Sequence, residues 1–225
     1  MKTYSYLLFA TILFVLFSTG CSEPYKKQQA QSLNMLTRDM SAFAPDKIIT
    51  YKTVEKTSLH LHIFLPPDHK TADNAPAVIS FFGGGWINGT IKHFYRQSAY
   101  WASRGMVAVC ADYRVESRHG AAPYQCLQDA KSAIRYIRRH SHELGIDPDR
   151  IAAAGGSAGG HLAAAAATTD QFNDPGDDLA ISCKPDALIL FNPVIDNGPQ
   201  GYGYERVSEY WQDFSPIHNL DANTP

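Results

Sequence analysis

The chain has 225 residues, 44% of them hydrophobic and 19% charged, which is enough for one sizeable globular domain. A net charge of −2, with no block of a single sign, leaves no basic footprint for nucleic acid. Nine histidines are scattered in none of the paired spacings that hold zinc, so neither a metal nor a cofactor is implied.

Residues 1–20 read as a targeting segment. Lys2 supplies a positive start, and Tyr6 to Phe17 form an apolar run too short to span a bilayer comfortably. Ser18-Thr19-Gly20-Cys21 then leaves two readings open. Small residues before a cysteine resemble the lipobox of bacterial lipoproteins, which would put a lipid on Cys21 and anchor the protein to a membrane. The alternative is an ordinary secretory signal. Both mean export, to the cell envelope, the periplasm or the medium. Residues 22–46 are polar and read as a linker with a short helix, and 47–225 as the folded domain.

Lys47 to Val54 and Leu59 to Leu65 alternate apolar and polar, which predicts an antiparallel pair at a sheet edge. Leu59, Leu61, Ile63 and Leu65 share one face, and His60 and His62 fall on the opposite, solvated one. From Ala77 the pattern changes. Ala77 to Phe82, Met106 to Ala111, Ile151 to Ala154 and Ala187 to Phe191 are continuous apolar runs, as expected of parallel strands covered on both faces. Helices are predicted between them over His93 to Arg104 and Tyr124 to Leu144, the second with Leu127, Ala130, Ile134 and Ile137 on one stripe and Gly145 at its end. Asp147-Pro148-Asp149-Arg150 reads as the turn into the next strand. Strand–helix alternation behind a starting hairpin predicts an α/β fold with a mostly parallel sheet. The segment Asn197 to Tyr204, rich in Gly, Pro and Tyr, is either an ordinary surface connection or a loop that shapes a site. A short helix is expected near Glu205 to Asp213. Cys110 reads as a buried small apolar residue, and the sequence does not decide whether Cys126 and Cys183 pair.

The stretch that carries chemistry is Ile151 to Thr169, a short strand, a turn crowded with glycine and an alanine-rich helix. Ser157 stands at its corner, in Gly155-Gly156-Ser157-Ala158-Gly159. On such a corner the backbone is strained, the hydroxyl is exposed, and the helix N-terminus below favours negative charge. This is the geometry of a nucleophile for acyl transfer. Phe82-Gly83-Gly84-Gly85-Trp86 follows an earlier strand, where glycines let backbone N–H groups turn toward a developing oxyanion.

With these motifs in order, together with Asp112-Tyr113-Arg114, Ala122-Pro123 with Asp129, and Gly145 to Ile151, the chain resembles the α/β-hydrolase fold serine esterases of the hormone-sensitive-lipase-like group. It is especially similar to the secreted acetyl-xylan and feruloyl esterase (BD-FAE-like) branch. The resemblance implies Ser157 as the nucleophile, the N–H groups of Gly84, Gly85 and Ala158 as the oxyanion hole, small acyl esters such as acetylated or feruloylated carbohydrate as substrate, and no cofactor. Phe82 stands where the family usually has a histidine, and Gly156 where an acidic residue is often found. In this fold the acid and the histidine follow the serine, in the order Ser, Asp, His. Ser215 to Leu220 resembles the segment before the strand that carries the acid, so the acid and base are expected beyond Pro225, with the last strands and helices of the fold. His161, His218 and His119 do not match the base, nor Asp112 and Asp129 the acid. The alternatives are a truncated or degenerate hydrolase without activity, surviving as a binding module, or a lipase or peptidase on the same scaffold.

Overall fold

The computed structural model describes residues 43–222, 224 and 225. The targeting segment, Cys21 and the linker as far as residue 42 lie outside the described residues. Six strands, β1 (Lys47–Val54), β2 (Thr57–Phe64), β3 (Ala75–Phe81), β4 (Val107–Ala111), β5 (Ile146–Gly156) and β6 (Ala187–Phe191), form one sheet in the order β1-β2-β4-β3-β5-β6. The pairs β4/β3, β3/β5 and β5/β6 are parallel, whereas β2 runs antiparallel to both β1 and β4. The starting hairpin and the parallel body are therefore as the alternation and the continuous apolar runs predict.

Period-two alternation sorts side chains onto two faces, and both faces are covered. Leu61 and Ile63 of β2, and Val107, Val109 and Ala111 of β4, join the larger core with the helices α3 (Pro123–Arg139) and α5 (Ala158–Thr168). Phe64 of β2, and Ala108 and Cys110 of β4, face the other way, into a smaller core under α1 (Tyr95–Ser103). This corrects the reading of His62 as solvated, whereas His60 stays on the exposed side beside Thr50 Oγ1. Phe64, on the same face, is 3% exposed, and His62 Nδ1 bonds the Tyr95 hydroxyl. A helix returning from β3 covers a strand face whose pattern alone looks half polar.

Two other elements differ from expectation. Asp147 to Arg150 is not a turn but the irregular start of β5. Ile146 pairs with Ala75, the register then jumps so that Ile151 pairs with Ala77, and the intervening residues bulge outward. The predicted helix from Tyr124 to Leu144 breaks at His140 into α3 and the single turn α4 (Ser141–Leu144). Its stripe of Leu127, Ala130, Ile134 and Ile137 is completely buried, and Gly145 closes α4 at φ +65°. The short α2 (Glu116–His119) precedes α3. After β6 come α6 (Tyr204–Val207) and α7 (Trp211–Phe214), two single turns where one short helix was expected. Cys110, Cys126 and Cys183 are all free buried thiols, so Cys126 and Cys183 are not paired.

Candidate active site

Why α5 can lie so close to the sheet follows from its composition. Ala163 to Ala167 are all buried, and a Cβ on Gly159 would stand 2.1 Å from the carbonyl oxygen of Phe81. A Cβ on Gly155 would stand 2.2 Å from that of Gly159. No side chain fits at either position, so the small residues around Ser157 are a condition of the strand and helix meeting at all.

Ser157 occupies the junction at φ +53° and ψ −120°, a region that residues with a Cβ rarely adopt. The corner is held by its backbone. Ser157 N–H donates to the Phe191 carbonyl at 3.0 Å, and its own carbonyl accepts from the N–H groups of His161 at 3.0 Å and Val194 at 3.2 Å. The residue is half-buried, and its hydroxyl takes part in none of the hydrogen bonds among the described residues. Directly below it α5 begins with Ala158, whose N–H precedes the helical ladder.

The glycine loop meets this corner. A Cβ on Gly83 would lie 2.9 Å from the Gly156 carbonyl oxygen and 3.4 Å from Ser157 Cβ. Gly84, Gly85 and Trp86 follow at φ +138°, +63° and +61°. The Gly84 carbonyl accepts from the N–H groups of Ile87 and Asn88, both at 3.1 Å. Among the described residues, the N–H groups of Gly84 and Gly85 donate to no acceptor. The structure thus brings Ser157, the glycine loop and the first residue of α5 to one place at the carboxyl ends of β3 and β5. The aromatic pair Phe94 and Phe191, with ring centroids 5.7 Å apart, borders Gly156.

The histidines downstream of the serine are committed elsewhere. His161 is fully buried, donates from Nε2 to the Phe214 carbonyl at 2.9 Å, and packs edge-on to Trp86 at 5.0 Å. Burial pushes its imidazole down to about 3 from an ordinary value of 6.5. The unfolded chain therefore takes up this proton first, and stability present above pH 6.5 is lost as pH falls toward 3. Going from pH 7 to pH 5 should cost about 2 kcal/mol through this residue alone. Urea titrations at the two pH values should show that difference shrinking by a similar amount in His161→Gln. An equal pH response in both proteins would disprove it.

His218 Nδ1 lies 2.9 Å from Ser215 Oγ and 4.0 Å from Asp196 Oδ1. Ser215 is completely buried, and its hydroxyl oxygen already accepts from the Asn197 N–H. This trio is a loop brace. His119 Nδ1 accepts from the Val115 N–H at 2.9 Å, and Asp112 accepts from Arg118 and from the Tyr113 N–H. Asp129 is buried in a charge cluster with Arg114 and Lys52. A groove of about 590 Å³ between β1 and α3, walled by Tyr51 and Tyr136, is a separate feature. Its Lys52, Arg135 and Arg139 are already paired with Asp174, Asp177 and Asp178.

Sequence reasoning missed two residues at the site. Tyr202, from the Gly- and Tyr-rich loop after β6, and Arg206, from the turn α6 that follows it, reach back to Gly85 and Trp86. Only the aromatic and glycine richness of that loop hinted at such a role.

The chain is similar to known esterases. The BD-FAE family model matches residues 61–198, more than half the chain. Esterase 2 of Thermogutta terrifontis phosphorylated by paraoxon is 45% identical, with a TM-score of 0.74 over 80% of this chain and 67% of that one. The propionate-bound form of this thermophilic esterase gives 43% identity and a TM-score of 0.76 over 84% and 71%. Carboxylesterase NlhH of Mycobacterium tuberculosis is 35% identical over 101 residues, 44% of this chain and 30% of the relative. The matched stretch thus spans less than a third of that curated relative's own length. The fold is that of α/β-hydrolase esterases. Since the matched residues include both the loop after β3 and the corner after β5, the chain belongs to the BD-FAE family.

Proposed function

We propose that this protein hydrolyses carboxylic esters of small acyl groups through an acyl-enzyme on Ser157. The observation that carries the reading is the strained corner at Ser157 with the glycine loop against it and, among the described residues, no hydrogen bond engaging the hydroxyl. In this mechanism Ser157 Oγ attacks the ester carbonyl and passes its proton to a base. The N–H groups of Gly84, Gly85 and Ala158 receive the oxyanion, and the helix dipole of α5 adds to them. The base returns the proton to the departing alcohol, and water then releases the acid by the same steps in reverse roles. We place the histidine base and its acid partner beyond Pro225, in the order this fold uses. No cofactor is needed.

Small acyl groups are supported by the relative that holds propionate, and an exposed serine nucleophile by the relative that paraoxon phosphorylates. Acetylated or feruloylated carbohydrate is the substrate class the family branch suggests. Export, with a lipid on Cys21 as a membrane anchor, rests on the N-terminal sequence. The test is a comparison of initial rates on p-nitrophenyl acetate, butyrate and palmitate, a feruloyl ester, acetylated xylan and a peptide. The acetate and butyrate esters should be favoured over palmitate at least about tenfold in kcat/KM, with the peptide uncut. Preference for palmitate or for the peptide would move the assignment to a lipase or a peptidase. No turnover of any ester would make the protein a degenerate hydrolase.

A further inference from the structure

We propose that Arg206 is a positioning residue for the glycine loop, holding the Gly84 and Gly85 amides in register with Ser157. This rests on the esterase reading for its catalytic consequence but on geometry for the contact itself. Arg206 Nη1 donates to the Gly85 carbonyl at 2.5 Å, from 121 residues away in sequence. Its Cζ lies 5.2 Å from the centroid of the Trp86 ring and 5.7 Å from that of Tyr202, and the two rings are 5.8 Å apart. The packing leaves no slack. A Cβ on Gly203 would stand 3.0 Å from Arg206 Nη2 and 3.1 Å from Trp86 Cζ3, and one on Gly85 would stand 2.9 Å from Tyr202 Oη.

The physical need for such a clamp lies in the loop. Three consecutive residues at positive φ have no sheet or helix ladder to hold them. In a planar trans peptide the carbonyl and the following N–H point in opposite directions. The Ile87 and Asn88 amides take the Gly84 carbonyl, and so turn the Gly85 N–H outward. Among the described residues no backbone N–H donates to the Gly85 carbonyl, and the guanidinium supplies a donor. A charged donor lying against two aromatic rings suits this role because the contacts restrict its plane as well as placing its charge. Asn197, fully buried, ties the far end of the same loop by donating to the Tyr202 carbonyl at 2.8 Å. Together these contacts turn a surface connection into the outer support of the glycine loop.

Two measurements on the native protein and on Arg206→Met and Arg206→Lys decide the matter. In Arg206→Met, kcat for p-nitrophenyl acetate should fall about ten- to a hundredfold with KM within about twofold, because misplaced donors weaken the transition state more than ground-state binding. Arg206→Lys, which keeps a donor but not the planar guanidinium, should recover part of that loss. Hydrogen exchange in the peptide covering Phe82 to Asn88 should accelerate in Arg206→Met, with the sheet amides unchanged. The exchange readout does not depend on turnover. Unchanged exchange there, or a kcat within twofold of the parent, overturns the clamp. A fall in kcat with a matching rise in KM, undiminished in Arg206→Lys, would overturn it in favour of a general folding role. A parent protein without turnover would refute the esterase reading, and exchange alone would still accept or reject the clamp.

Discussion

Replacement of Ser157 by alanine should lower kcat for p-nitrophenyl acetate by about 10⁴-fold or more while leaving the fold as stable as before. The size of the loss follows from the unit character of a nucleophile and its base, since removing the nucleophile removes the acyl-enzyme route altogether. Stability should hold because the Ser157 hydroxyl makes no hydrogen bond among the described residues, and the backbone bonds to Phe191, His161 and Val194 do not use the side chain. Alanine also keeps the Cβ, so the strain at φ +53° is neither relieved nor deepened. Glycine in its place should behave differently. Ser157→Gly should be equally inactive yet more stable by about 1 kcal/mol, because glycine accepts positive φ without penalty. Kinetics and urea midpoints on the three proteins check both halves. An alanine variant with appreciable turnover would remove Ser157 from the chemistry. A glycine variant less stable than the parent would show that the corner stores no strain.

Replacement of Asp129 should be the most damaging change away from the site. Its carboxylate is completely buried and accepts from Arg114 Nε at 2.7 Å, Arg114 Nη2 at 2.8 Å and the Arg114 N–H at 3.0 Å. Lys52 Nζ stands 2.8 Å from its Oδ1, which Arg114 Nη2 also contacts, and reaches Asp174 at 2.7 Å. One anion thus ties β1, the segment after β4 and α3 together. Asp129→Ala leaves the Arg114 guanidinium, itself 8% exposed, buried without a partner, and should cost about 3–5 kcal/mol. Removing Arg114 as well should cost much less than the sum, because each single variant strands the other's charge. Chemical denaturation of Asp129→Ala, Arg114→Met and the double variant measures this. Additive losses would mean that the pair is not a coupled unit. In the folded fraction of Asp129→Ala, Ser157 should keep its reactivity, in line with a structural aspartate.

Much of the site is legible in the sequence because its parts are local. The glycine run follows β3 directly, and Ser157 lies between an apolar strand and an alanine helix, so composition and spacing place each without any knowledge of the fold. What the sequence hides is what tertiary contact decides. Arg206 and Gly85 are brought together by the path of the chain after β6, and nothing near either residue announces the other. His62 looks solvated by alternation but is half-buried, since α1 covers its face and Tyr95 takes its imidazole. Asp147 to Arg150 has the residues of a turn, yet pairing on both sides of it with β3 keeps it within a strand as a bulge. Local chemistry marks the candidate nucleophile, and packing decides what supports it.

The central claim is that Ser157 is the nucleophile, and a covalent probe tests it most directly. The protein would be treated with paraoxon, digested, and its peptides sequenced by mass spectrometry. The account predicts one diethylphosphoryl group, on Ser157 in the peptide spanning β5 and α5, formed in step with loss of ester hydrolysis and absent from Ser157→Ala. A stoichiometric adduct on another residue, or full inhibition with Ser157 unmodified, would contradict it.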